Sequence, residues 1–91
     1  MDAFDGLPGA ELIADGIRDL EAGVLSAPAL LVSIGAPKLK RLGVEIARVE
    51  PSPEHRLYGL LIEDGADGAH ARYNALLRRL VSFERALACA R

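Results

Sequence analysis

DGAHARYNALLRRLVSFERALACAR, residues 67–91, is the stretch that decides the fold. Apolar or small residues stand at Ala69, Tyr73, Leu76, Leu80, Phe83, Leu87 and Ala90, in steps of four and three without a miss. That spacing places all seven on one side of an α-helix. Leu77, Val81 and Ala88 widen the stripe to roughly 160°, more than a coiled-coil seam needs and typical of a core-facing helix. Arg72, Arg78, Arg79 and Arg85 occupy the opposite side. None of them has an acid three or four residues away, so they are unpaired on their own helix.

The rest of the chain has to supply what this helix packs on. With 91 residues there is one domain, 1–91, near the small end of what buries a self-sufficient core, with residues 1–6 reading as a loose tail. An apolar share of 51% against 26% charged residues is globular composition, not that of a disordered chain. Trp is absent and there are only two Phe and two Tyr, so the core has to be built from Leu, Ile, Val and Ala.

Upstream, helices are expected near 8–22, 26–42, 53–64 and 67–90. Pro8 suits the first turn of the first. Ile13, Ile17, Leu20 and Val24 give that helix its stripe, and Gly23 is its stop. Gly16 costs about 1 kcal/mol there relative to Ala, a cost that close approach of another backbone would offset. Ser26 is a good N-cap for the second helix, with Pro28 tolerated in its first turn. Leu30, Leu31, Val32 and Ile34 leave that helix almost no polar face, so it should lie deepest. Gly35, Ala36 and Pro37 predict a kink or restart, followed by a short basic stretch ending at Gly43.

Val44 to Pro53 reads as an extended connection, because a lone strand would leave its backbone unpaired. Ser52, Pro53 and Glu54 open the third helix as cap, first residue and acid near the positive end. Gly65 closes it, and Asp64 or Asp67 is expected to cap the fourth. A turn this short predicts an antiparallel hairpin. The expected fold is therefore all-α: a four-helix up-down bundle with a kinked or broken second helix and a long C-terminal helix. That last helix is about 36 Å long, twice the third, so its apolar stripe calls for cover from the first two helices or from a second copy.

Charge alternates along the chain. Residues 1–23 carry −5, 24–48 carry +3, 49–68 carry −4 and 69–91 carry +4, within a net −2. In an up-down bundle sequence neighbours are spatial neighbours, so acidic and basic helices are expected to pair inside the molecule. The small net charge gives no global attraction to nucleic acid or anionic membrane.

Few chemical sites suggest themselves. One cysteine, Cys89, forbids an intramolecular disulfide and a Cys-based zinc site; it reads as a small filler in a reducing, cytoplasmic protein. The acidic start is unlike a secretory signal. The longest uncharged run, 22–37, holds 16 residues, short of the roughly 20 that span a bilayer. His55 and His70 begin successive helices of a hairpin, at opposite ends, so they share no metal within one chain. The Asp64-to-Gly68 turn lacks the acids of a calcium loop, and no nucleophile elbow, phosphate loop or dinucleotide fingerprint occurs. No catalytic, cofactor-binding or metal-binding residue is therefore assigned, and no cofactor is expected. Tyr58, Tyr73 and Asn74 are the uncharged polar groups that could face a pocket, if the chain were an enzyme.

Two surfaces stand out as candidates. Tyr73, Leu76, Leu77, Leu80, Phe83 and Leu87 are candidates for interaction with a second chain. Lys38, Lys40, Arg41, Arg72, Arg78, Arg79 and Arg85 are candidates for contact with an anion or nucleic acid, although no aromatic interleaves with these arginines for base stacking. The expected function is a non-catalytic interaction or regulatory module acting as a homodimer, with a possible protein partner and no membrane contact. The alternative is a nucleic-acid-associated regulator using the basic face of the last helix.

Overall fold

The computed structural model describes residues 6–90, which form four helices and, among the described residues, no strand: α1 (Ala10–Ala22), α2 (Ala27–Arg41), α3 (Pro53–Asp64) and α4 (Ala66–Ala90). The expected tail lies, Gly6 apart, outside the described residues. The all-α, four-helix reading is what the structure shows. α2 is its hub, packing on α1, α3 and α4, while α3 also packs on α4. The longest dimension of the molecule, 38 Å, is about the length of α4.

α1 starts later than its proline suggests. Gly9 is left-handed (φ 77°) and caps the helix, so Pro8 belongs to the preceding turn. This turn rests on α4: a Cβ at Gly9 would lie 3.2 Å from the Arg79 carbonyl oxygen and 3.6 Å from Phe83 Cβ. At the far end Gly23 is again left-handed, and the Val24 N–H donates to the Asp19 carbonyl at 2.8 Å. The Ser26 hydroxyl then accepts from the Ala29 N–H (3.2 Å) as the N-cap of α2 and donates to Asp19 Oδ2 (2.6 Å). One side chain thus fastens both helices at a corner where the axis turns by 98°. That corner is a perpendicular crossing, unlike the near-reversal of an up-down pair.

Gly16 makes the crossing possible. A Cβ there would stand 2.4 Å from the Pro28 carbonyl oxygen and 2.5 Å from Val32 Cγ2, so the two backbones meet where no side chain fits. Beyond it Ala29, Leu30, Leu31, Val32, Ser33, Gly35, Ala36 and Leu39 are all buried, the deepest run in the chain.

The expected break at 35–37 does not occur: α2 runs through Pro37 to Arg41. Proline inside a helix costs about 3 kcal/mol, and burial on both sides of it outweighs that. Leu39 and Ala36 lie in the core, Gly35 presses on α4, and the Pro37 ring faces outward. Residues 43–52 run as an irregular connection that buries Val44 and Ile46, and the Ser33 hydroxyl accepts from the Glu50 N–H at 3.1 Å.

Two caps differ from expectation. Ser52 precedes Pro53 in a left-handed conformation (φ 50°), and its hydroxyl makes no capping bond. Neither Asp64 nor Asp67 caps α4: Asp64 ends α3, Gly65 alone joins the helices, and Asp67 lies within the first turn of α4. With a one-residue link, the carbonyls at the end of α3 need another partner, and Arg72 supplies it.

Candidate interaction surface

The inner stripe of α4 is mostly core. Ala69, Leu80, Phe83 and Leu87 are buried, and Tyr73, Leu76 and Leu77 are half-buried against the same cluster. The distal half is covered within the chain, by α2 at Gly35 against Leu80 and by the Gly9 turn at Phe83. Among the residues proposed for contact with a second chain, Leu80, Phe83 and Leu87 are thus occupied at home. The stripe needs no second chain to cover it.

Tyr58 meets Tyr73 and His70 edge-on, with ring centroids 5.4 and 6.3 Å apart, at the α3–α4 contact. Asn74 Nδ2 lies 3.2 Å from His70 Nε2. Tyr58 and Tyr73 are spent on packing, and Asn74 is on the surface. They converge on no enclosed site. Among the described residues no group of three or more His, Cys, Asp or Glu could hold a metal ion. No single helix there is long and apolar enough to cross a membrane.

The seven cations named above share no single face. Arg72 folds back over the α3–α4 junction, where its Nη2 donates to the carbonyls of Leu61 (2.7 Å) and Gly65 (2.9 Å). Gly68 gives it room, since a Cβ there would sit 2.9 Å from Nη1. This arginine caps α3. A cation bound to the negative end of a helix is favourably placed.

Lys38 and Arg41 lie near Glu84, the one acid among residues 69–91, which is 6% exposed and faces α2 at Gly35. Burial pushes the Glu84 carboxyl above its ordinary pKa, and Lys38 and then Arg41 pull it back down. Arg79 borders the cleft beneath the start of α1, with Glu11, Asp15 and Arg18. Lys40 is exposed at the end of α2.

Arg78 and Arg85 remain together. They flank a shallow groove along the outside of α4, with His70, Asn74, Leu77 and Val81 also lining it. Val81 is 41% exposed and Leu77 half-buried. His70, Asn74, Leu77, Val81 and Ala88 fall on a second line at steps of four, three, four and seven, beside the inner stripe. α4 therefore has two seams, one filled by its own chain and one open. The widening of the stripe by Leu77, Val81 and Ala88 was the sign of it in the sequence.

A second open groove runs between the start of α2 and α3. Leu25, Ala27, Leu30 and Leu60 form its apolar floor, with Glu63 and Asp64 at one end and His55 and Arg56 at the other. Leu25 is 42% exposed, and a Cβ at Gly59 would meet nothing within 4 Å. Arg56 is already engaged, its Nη1 lying 3.0 Å from Glu50 Oε1. The uncommitted charge at this groove is acidic.

Acidic and basic helices lie side by side as expected, α1 on α2, α2 on α3 and α3 on α4, but among the described residues no ion pair joins them. Among the described residues the ion pairs are Arg18 with Asp15 and Arg56 with Glu50, each inside one sequence segment. Arg78, Arg79 and Arg85, and Glu54, Glu63, Asp64 and Asp67, form none among the described residues. Cys89 is exposed on the last turn of α4 and is no core filler. No family model, curated protein or solved structure matches this chain.

Proposed function

We propose that the chain is a non-catalytic helical interaction module that works as a homodimer. The observation that carries this reading is the open seam of α4, where exposed Val81 and half-buried Leu77 lie between two arginines with no acid to meet. Apolar side chains ringed by uncommitted charge are what a protein contact uses: the apolar centre supplies affinity and the charges set the partner. A phosphate backbone would use the arginines alone and leave Leu77 and Val81 idle. Arg72, committed to the α3 carbonyls, takes a further cation from a nucleic-acid surface. A free, exposed Cys89 suits a cytoplasmic setting.

Light scattering on the purified chain at about 100 µM, a concentration that populates a dimer of micromolar Kd, tests the reading. A molar mass near twice the monomer's 9.7 kDa supports it. A monomer mass at low salt, together with a gel shift of duplex DNA by the same sample, would replace it with the nucleic-acid reading.

A further inference from the structure

We infer that the open seam of α4 docks into the α2–α3 groove of a second copy of this chain, with Arg78 and Arg85 meeting Glu63 and Asp64 of that copy. The inference rests on the homodimer reading and adds the two mating faces to it. Both halves of the contact are visible in one chain. The α4 seam presents Leu77 and Val81 beside two unpaired arginines. The α2–α3 groove presents Leu25 and Leu60 beside two unpaired acids, with its one arginine held by Glu50. No residue lines both grooves, so they are separate surfaces, and a second copy brings them together.

Shape agrees with charge. Gly59 leaves the floor of the acidic groove without a side chain, where a bulky residue such as Val81 can approach. Arg78 and Arg85 stand two turns apart, about 10 Å, on either side of Val81, and their long side chains converge on the one end of the groove that holds Glu63 and Asp64. Joining two α4 seams instead would set Arg78 and Arg85 against their own copies, and like charges across an interface cost affinity. In a closed homodimer this contact would be made twice, reciprocally, about one two-fold axis. Contact between opposite charges at the rim of an interface weakens as salt rises.

The test is a charge exchange read by sedimentation velocity. The double variants Arg78→Glu/Arg85→Glu and Glu63→Arg/Asp64→Arg each reverse one face at exposed positions, and the circular dichroism of each should match the parent. Each alone should lose self-association by tenfold or more. Mixed in equal amounts they should regain a 1:1 complex, because each then offers one intact and one matching reversed face. Val81→Ser, with all charges kept, should weaken the parent assembly. Parent dimers that persist in both double variants, or variants that fail to recombine, would overturn the docking faces while leaving the homodimer itself standing. A monomeric parent would overturn both.

Discussion

At Gly16 the chain gives up helix propensity to gain a crossing. The position lies inside α1, where alanine would favour the helix by about 1 kcal/mol. Yet a methyl there would stand 2.4 Å from a backbone oxygen that cannot swing away. We predict that Gly16→Ala destabilises the protein by about 1–3 kcal/mol, the range for overpacking, in a urea titration; a stabilised variant would show that α1 and α2 are not in close contact. Arg72 is the second residue whose role depends on where it lands. Arg72→Met keeps the stem but removes both bonds to the carbonyls at the end of α3, and should cost roughly 1–2 kcal/mol. Arg72→Lys should recover only part of this, since a strongly hydrated ammonium on a shorter stem replaces the Nη2 that holds both carbonyls. Equal stability of all three forms would remove the cap. The sequence carries notice of Gly16 as a contact, because a glycine in a well-formed stripe needs a reason. It gave none for Arg72, which looks like its neighbours Arg78 and Arg79 until the turn at Gly65 brings the α3 carbonyls within its reach.

Among the elements, α2 departs furthest from local rules and settles most of the packing. Its uniform apolarity foretold burial, and its glycine and proline foretold a break. Burial won, because Ala36 and Leu39 carry the core past Pro37 and Gly35 gives α4 a place to lie. The same contact confines Glu84. Its carboxyl is harder to ionise in the folded chain than in the unfolded one, burial outweighing Lys38 and Arg41. The folded state therefore holds the proton to higher pH. Stability that this group confers when protonated is lost as pH rises from the unfolded pKa through the folded one. Glu84→Gln should accordingly melt at higher temperature than the parent at neutral pH, with the difference shrinking as pH falls below the carboxylate range. An unchanged difference across that range in thermal melts would mean that the carboxyl is not confined. Helix positions were legible because their stripes and stops are local. The two caps differ from expectation for separate reasons: Ser52 takes a left-handed conformation in which its hydroxyl makes no capping bond, and the one-residue link at Gly65 leaves no room for the loop that a side-chain cap of α4 needs.

For the molecule as a whole, the alternation of segment charge was plain in the sequence, but its meaning depended on topology. An up-down bundle would have set acidic against basic helices. The α1–α2, α2–α3 and α3–α4 contacts also set acidic beside basic helices here, but no ion pair crosses them among the described residues, and Arg78, Arg85, Glu63 and Asp64 are left uncommitted there. The inner stripe of α4, which first suggested a second chain, is filled from within by α2 and the Gly9 turn. On the docking proposed above, the outer seam is what a second copy engages, and there the unspent charges would find their match. Cys89, the single cysteine, lies exposed one turn beyond Arg85 and can carry a nitroxide without any substitution. Mixing spin-labelled, unenriched chain with unlabelled ¹⁵N-enriched chain reads the contact between copies directly. Broadening of the amides at 25–31 and 55–64 in the ¹⁵N copy, reversed at high salt, is the predicted result; a mixed spectrum identical to that of the ¹⁵N chain alone would contradict it.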